Sequence, residues 1–268
     1  MLPIIFRIGS FTFYTYGVFL ALAFFWFLYV AWKLLRITPH KEEELFDKIF
    51  LSLGIGLLAG RIAYILPNFD IIIKKGFLAF LAVHLYPGFH GFTVVFASLF
   101  ALMFLARGKK YTGAEIAAHI IPAICVAMAI INVGAIFSGG VVGMPTDFPI
   151  RIKYALYDGL RHVPTLYRAL AFGVMAFVFY RLLFMTRQGK LKHEIIIGSF
   201  LWLFALTSML TIPIHDSLTY GKNNIYRLYD MYSSVFILLT SFGYLVYHWR
   251  SYFYGFIKFA PKASNKNG

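Results

Sequence analysis

A histidine at position 90 is the residue of this sequence whose type and surroundings most suggest chemistry. His90 stands in YPGFHGF, residues 86–92, between two glycines and beside aromatic residues, just before a long apolar run. An imidazole exchanges a proton near neutral pH, so it can act as a general base. The alternative is a histidine at a membrane edge with an ordinary hydrogen bond. The spacing alone favours that alternative.

An arginine lies inside a second apolar run. Arg61, in GLLAGRIAYIL, stands close to the end of that run. A charged group at the centre of a bilayer costs at least a few kcal/mol, and less if the side chain reaches the headgroups. Arg61 is therefore either an anchor at the outer headgroups or a guanidinium that binds a lipid phosphate or a carboxylate inside the bundle. Nearby Gly56 and Gly60 favour the second interpretation, because small residues let helices approach closely.

Polar residues also mark the ends of two later apolar runs. Asp216 and His215 close the sixth run in TIPIHDS, where they either orient a partner group or simply end a helix. Arg161, His162 and Tyr167, in GLRHVPTLYRA, precede the fifth run. These three residues form either part of a site or a positively charged helix start with an interfacial aromatic.

Composition defines the class of protein that must position these side chains. The chain has 268 residues, of which 60% are hydrophobic and 13% charged, and its mean hydropathy is +0.73. A soluble domain is about half apolar and about a quarter charged, so this is an integral membrane protein. The formal charge of +14 is explained by bases in short loops near anionic headgroups, not by nucleic acid. The single cysteine, Cys125, predicts a buried small hydrophobe; we expect no disulfide, metal site or cofactor.

Seven apolar runs of about 16 to 24 residues are long enough to cross a bilayer as helices. They predict an all-α, polytopic membrane protein with a transmembrane domain over residues 1–249 and a basic tail over 250–268. Residues 67–87 are expected to be partly re-entrant or interfacial. The seven runs lie near residues 14–32, 46–66, 91–106, 114–137, 165–185, 195–214 and 231–249.

The positions of the basic residues predict an orientation. With the N-terminus outside, fifteen Lys and Arg residues fall on the inside and nine fall on the outside. Positive charge collects on the cytoplasmic side of membrane proteins, so we expect an outer N-terminus and a cytoplasmic C-terminus. The two longest loops, near 138–164 and 216–230, then face outward.

The order of these motifs resembles the bacterial prolipoprotein diacylglyceryl transferase family. The likeness rests on IFRIGSFTFYTYGVFLALAF, GLLAGRIAYIL, FHG and RHVPTLY, and it extends from about Ile5 to Tyr247. The resemblance implies a seven-helix inner-membrane fold with its N-terminus outside. It also implies transfer of the diacylglyceryl group of phosphatidylglycerol to the lipobox cysteine thiol of a preprolipoprotein, with release of glycerol phosphate. No cofactor is implied.

The resemblance also implies roles for individual residues. His90 matches the histidine of the family's FHG motif, a proposed base for the thiol. Asp216 falls near a family glutamate in the sixth helix and is expected to orient a partner group in catalysis. The lipid- or phosphate-binding residues implied by position are Arg61, Tyr16, Arg161, His162 and Tyr167.

The chain departs from the family's signature, G-R-L-G-N-F-I-N-G-E. Residues 131–140 read INVGAIFSGG, and a second family arginine falls near Ile212. Two lost guanidiniums would remove clamps for a phosphate that gains charge as it leaves, which slows the reaction by orders of magnitude without compensation. The signature positions hold Asn132, Ala135, Ser138 and Gly140, and the candidates for compensation are Arg151, Lys153 and Arg161.

Two functions from different classes remain open at the level of sequence. In the first, a divergent transferase uses His90 as base, Arg61 and Arg161 on the phosphate, and Asp216 to orient a partner. In the second, a non-catalytic relative keeps the lipid cavity and binds lipid, or serves as a membrane partner subunit. A third interpretation, a small transporter or proton channel, is weakened because only one histidine lies near membrane depth.

Overall fold

The computed structural model describes residues 4–9, 11–69, 73, 76, 80, 88–108, 111–154, 157–216 and 225–258. Within these residues the fold is a bundle of seven α-helices, which confirms the all-α class. The helices are α1 (Thr15–Leu35), α2 (Glu42–Ile65), α3 (Gly91–Leu105), α4 (Gly113–Ser138), α5 (Pro164–Arg187), α6 (His193–Thr211) and α7 (Ile225–Lys258). Two antiparallel hairpins complete it, formed by β1 (Ile4–Ile8) with β2 (Phe11–Tyr14) and by β3 (Arg151–Lys153) with β4 (Leu160–His162).

Five of these helices, α1, α2, α4, α5 and α6 with its 3-10 extension to Ile214, are long and apolar enough to cross a membrane. Helix α3 is apolar but shorter, with 15 residues. Helix α7 covers the seventh predicted run and continues to Lys258. The polytopic membrane architecture is therefore confirmed, while the orientation and the domain border at residue 249 stay predictions. The predicted re-entrant segment, 67–87, lies almost entirely outside the described residues.

Helix α4 lies at the centre of the bundle, where it packs against α1, α3, α5 and α6. Its stretch from Ile116 to Ile121 is buried throughout, and Cys125 is fully buried, as the sequence predicts for a small hydrophobe. Ala117 and Ala118 in this stretch let the neighbouring helices approach closely. Large apolar side chains such as Phe100, Phe104 and Phe177 instead point outward, as expected for a surface that faces lipid.

Helices α2 and α3 pack with their backbones in close approach. A Cβ at Gly60 would overlap the side chain of Val94, and a Cβ at Gly56 would overlap Ser98. The backbone N–H of His90 donates to the carbonyl of Gly60 over 3.0 Å. The small residues of α2 therefore fix the first turn of α3, and with it the position of His90.

The connection between α4 and α5 is built from short extended segments. The amide of Met144 donates to the carbonyl of Ile214 over 2.8 Å, and the amide of His162 donates to the carbonyl of Met144 over 3.0 Å. A Cβ at Gly143 would overlap the backbone of His162, so this close pairing requires glycine. The segment therefore connects the end of α6 with β4, the strand that precedes α5.

Candidate functional site

His90 is the N-cap of α3. Its backbone is extended (φ −78°, ψ 102°), and its Nδ1 accepts the backbone N–H of Thr93 over 3.4 Å. The Thr93 Oγ1 lies 2.6 Å from the same nitrogen. N-caps are usually Ser, Thr, Asp or Asn side chains, whose oxygen accepts an otherwise unpaired helix amide. Here the imidazole nitrogen takes that place, which fixes the orientation of the ring.

The other nitrogen of His90 faces α7. Its Nε2 lies 2.8 Å from Oδ1 of Asp230, and the ring of Tyr229 packs 4.7 Å from the imidazole. Only 9% of the His90 side chain and 26% of the Asp230 side chain are exposed. The sequence analysis missed Asp230, which is 140 residues away in the chain. The available signal was a carboxylate at the edge of an apolar run, the same signal that singled out Asp216.

A cavity of about 390 Å³ opens beside this pair, between α3 and α7. The two helices start on the same side of the bundle, so their first turns line one end of the cavity and their later turns line the other. The first end carries polar groups, and the second is apolar. The polar groups come from His90, Thr93, Tyr229, Tyr232 and Ser233, with the ring of Phe92 beside them, and the apolar wall comes from Phe96, Phe236 and Ile237. An amphipathic cavity of this kind suits a molecule with a polar head and an apolar chain.

Arg61 is buried inside the bundle and not exposed at its surface, with 3% of its area accessible. Its Nε donates to the carbonyl of Phe80 over 3.0 Å, and its Nη1 donates to the carbonyl of Gly88 over 2.9 Å. The guanidinium also lies over the ring of Tyr64. These contacts hold the chain two residues before His90. The predicted binding of a lipid phosphate by Arg61 stays a prediction.

Arg161 of β4 and Asp216, in the segment after α6, form an ion pair. The side chains are 12% and 13% exposed, and Arg161 also donates to the carbonyls of Gly143 and Asp158, each over 3.3 Å. The carboxylate beside His90 is thus Asp230, while Asp216 holds Arg161. The predicted catalytic role of Asp216 stays a prediction.

His162, Tyr167 and Tyr16 lie at the ends of α5 and α1. The Nδ1 of His162 is 3.0 Å from the Tyr167 hydroxyl, which in turn donates to the carbonyl of Ile150 over 2.9 Å. These bonds fix the β3–β4 hairpin to the first turn of α5. Tyr16 is 43% exposed in the first turn of α1. Among the described residues, the cavity beside His90 is lined by α3 and α7 and by none of these three.

Two further arginines donate hydrogen bonds to the last residue of α6 and to the segment that follows it. The Nε of Arg168 donates to Thr211 Oγ1 over 2.7 Å, and the Nη2 of Arg227 donates to the carbonyl of Pro213 over 3.1 Å. His215 in this segment is buried, and its burial, together with the charges of Arg168 and Arg227, lowers its pKa to about 3. Arg227 lies one turn before Asp230, so the start of α7 connects this positive cluster with the His90 site.

The segment 131–140 uses its polar groups inside its own helix. The Asn132 amide donates to the carbonyl of Met128 over 2.7 Å, and the Ser138 hydroxyl donates to the carbonyl of Ala135. Gly139 ends α4 in the left-handed conformation, with φ 71°. This segment therefore supplies no guanidinium, and the arginines near this end of the bundle come from other elements.

Comparison with known proteins gives one consistent match. The family model described as prolipoprotein diacylglyceryl transferase matches residues 3–246. The chain is 24% identical over 261 residues to the phosphatidylglycerol–prolipoprotein diacylglyceryl transferase of Listeria monocytogenes serotype 4a. The aligned region covers 91% of this chain and 89% of the relative. The chain is 29% identical over 181 residues to the enzyme of the same name from Geobacter sulfurreducens, covering 66% of this chain and 68% of the relative. The family match includes α1 to α6 and most of α7.

Proposed function

The chain belongs to the prolipoprotein diacylglyceryl transferase family, and we propose from that premise that it transfers the diacylglyceryl group of phosphatidylglycerol to a prolipoprotein cysteine thiol in the bacterial inner membrane. The observation that carries the proposal is the His90 imidazole, held on both nitrogens at the polar end of an amphipathic cavity. The names of the relatives support phosphatidylglycerol and a prolipoprotein as the two substrates.

The proposed reaction needs a base for the thiol and cations for the leaving phosphate. The thiol proton passes to His90, and the thiolate attacks the glyceryl carbon that carries the phosphate oxygen. The bond between that carbon and the oxygen breaks, and its electron pair leaves with glycerol phosphate. A positioned base contributes about 10²–10⁴ in rate, and cations stabilise the charge that develops on the phosphate.

The phosphate group of the donor is proposed to meet arginines of the outer region. Arg61 and Arg161 are proposed from the resemblance, with Tyr16, His162 and Tyr167 as further lipid contacts. Arg151 bonds Asp147 over 2.9 Å at an exposed site, which makes it a weak candidate for this role. Arg168 and Arg227 are better placed, because both bond the segment in which a family arginine would lie near Ile212.

A direct assay tests this proposal. Purified protein in phosphatidylglycerol micelles receives a peptide that carries a lipobox cysteine. We expect glycerol phosphate to be released and the peptide to gain the mass of one diacylglyceryl group. The His90→Ala variant should be at least about 100-fold slower, since it lacks the base. His248→Gln, near the far end of α7, is the matched control and should keep the wild-type rate. A wild-type rate no greater than that of His90→Ala would exclude this transfer.

A second candidate function is lipid binding without transfer, and Asn132 is the observation that favours it. Its amide is bonded within α4, where the family signature places an arginine. In this case phospholipid should co-purify with the protein and be detected by mass spectrometry, without turnover in the assay. Ser233→Trp, which fills the cavity, should deplete the lipid. Thr240→Trp, on the exposed face of the same helix, should not.

A further inference from the structure

We propose that Asp230, His90 and Thr93 form a hydrogen-bonded relay, in which the Thr93 hydroxyl contacts the substrate thiol and Asp230 positions the imidazole. The proposal rests on the transfer reaction proposed above and deepens it, because it names the group through which the proton travels. None of the motifs that carry the resemblance includes Thr93 or Asp230. The inference therefore depends on contacts of this chain alone.

The bonds around His90 leave one tautomer. A neutral imidazole has one N–H and one nitrogen lone pair, and an ionised carboxylate can only accept. The Nε2 faces Oδ1 of Asp230 over 2.8 Å, so Nε2 carries the proton and donates it. The backbone N–H of Thr93 can only donate, and it points at Nδ1. The lone pair is therefore on Nδ1, where it also receives the Thr93 O–H over 2.6 Å.

It follows that both nitrogens of His90 are occupied by protein groups. A thiol in the cavity cannot give its proton to His90 directly without breaking one of these bonds. Thr93 lines the same cavity. When it donates its hydrogen to Nδ1, the lone pairs of its oxygen remain available to accept a hydrogen from another group. Thr93 is thus the group through which the cavity reaches the imidazole.

The proton balance of the relay is complete with protein and substrate atoms. The cysteine S–H gives its proton to Thr93 Oγ1 as the Thr93 hydrogen passes to Nδ1 of His90. The imidazolium that forms has two N–H groups, and the Asp230 carboxylate stabilises its charge, as in an Asp–His–Ser triad. The thiolate attacks the glyceryl carbon, and the electron pair of the broken C–O bond leaves on the phosphate oxygen. The same path returns the proton to glycerol phosphate.

The location of Thr93 favours this step. Thr93 lies in the first turn of α3, where the helix dipole stabilises negative charge. The developing thiolate would lie beside that turn. Asp230 contacts the imidazole and is not among the described residues that line the cavity, so it is a positioning residue.

Conservative variants test the hydroxyl of Thr93 and the carboxylate of Asp230 while the size of each side chain is kept. Thr93→Val keeps the branched shape and removes the hydroxyl, and Thr93→Ser keeps the hydroxyl. We expect Thr93→Val to lower kcat about 100-fold with KM changed less than about threefold, and Thr93→Ser to remain within about tenfold of wild type.

Asp230→Asn should lower kcat by a similar factor, because the amide favours the wrong tautomer, and Asp230→Glu should restore part of it. Thr240→Val, whose hydroxyl bonds its own helix, is the control.

A readout that does not depend on activity is the ¹⁵N spectrum of the histidine side chains. Subtraction of the His90→Gln spectrum assigns the two nitrogens of His90. The relay predicts an Nε2–H tautomer in the wild type and a mixture of both tautomers in Asp230→Asn, where the amide competes with the Thr93 N–H for control of the ring. If wild type shows this tautomer without any transfer, the proposed function fails and the hydrogen-bonded relay stands.

Two results would overturn the relay. One is an active Thr93→Val variant with a wild-type kcat. The other is an Nδ1–H tautomer of His90 in the wild type. If Thr93→Val fails to fold, as judged by its circular dichroism, the ¹⁵N spectrum of the wild type alone tests the relay.

Discussion

The start of α3 and the last turns of α4 bond their polar side chains in opposite ways. At the start of α3, His90 bonds side chains of two different helices beside a cavity. In the last turns of α4, Asn132 and Ser138 bond carbonyls of their own helix. The family signature would place an arginine in α4, whereas this chain has arginines on α2 (Arg61), in β4 (Arg161), on α5 (Arg168) and on α7 (Arg227). Under the proposed function, the chemistry is therefore centred on α3 and α7.

A third region is the ion pair between Arg161 and Asp216. It joins β4 to the segment after α6, and both side chains are largely buried. Removal of one partner leaves a buried charge uncompensated, which costs several kcal/mol in a fully buried pair. Separate measurements of stability and of transfer rate distinguish a contribution of this pair to folding from a contribution to the proposed reaction.

The largest effect on stability is expected at this ion pair. Arg161→Met should lower the free energy of unfolding by about 3 kcal/mol, because it leaves the Asp216 carboxylate buried without its partner. The double variant Arg161→Met with Asp216→Asn should recover part of that loss. Unfolding in mixed micelles measures both. A loss of transfer rate in protein that remains folded would show instead that Arg161 acts on the substrate.

A smaller effect is expected where α2 meets α3. Gly60→Ala adds a methyl group that overlaps Val94 and lies 3.3 Å from the carbonyl of His90. It should lower the free energy of unfolding by about 2 kcal/mol, as overpacking does, and it should slow transfer by moving His90. Gly54→Ala, on the same helix with open space around it, is the control and should change neither. Equal behaviour of the two variants would mean that this close approach does not position the site.

The smallest effect concerns His215 and pH. The pKa of this imidazole is lowered from 6.5 to about 3 by burial and by two arginines. Local unfolding of the segment around His215 exposes the imidazole, so the unfolded segment binds a proton more readily than the folded one. The folded segment is therefore most stable above pH 6.5 and loses stability as the pH falls toward 3. At pH 5.5 the loss is about 1.4 kcal/mol, or about tenfold faster exchange of the Asp216 amide after correction for intrinsic rates. His215→Gln should remove this dependence. A wild-type segment whose corrected exchange is constant from pH 7 to 5.5 contradicts it.

Much of the architecture follows from the sequence, because apolar runs of membrane length form helices whatever their neighbours. The pattern predicted the seven helices and placed His90 at the start of the third. Arg61 lies inside the bundle, as in the alternative that Gly56 and Gly60 favoured, while the lipid phosphate or carboxylate of that alternative stays a prediction.

The partners of these side chains did not follow from the sequence. Asp230 meets His90 only because α7 packs beside α3, and no local pattern encodes a contact between residues 140 positions apart. Thr93 was overlooked because a threonine in an apolar run usually bonds its own helix. Asp216 was assigned to catalysis by its position near a family glutamate, which does not reveal that Arg161 is its partner.

We propose that α3 and α7, and not α4, carry the chemistry. The decisive experiment measures glycerol phosphate release from phosphatidylglycerol with a lipobox peptide, side by side for wild type, His90→Gln and Asn132→Ala. Asn132→Ala should stay within about twofold of wild type, while His90→Gln should fall at least about 100-fold. A large loss in Asn132→Ala together with a wild-type rate in His90→Gln would contradict it.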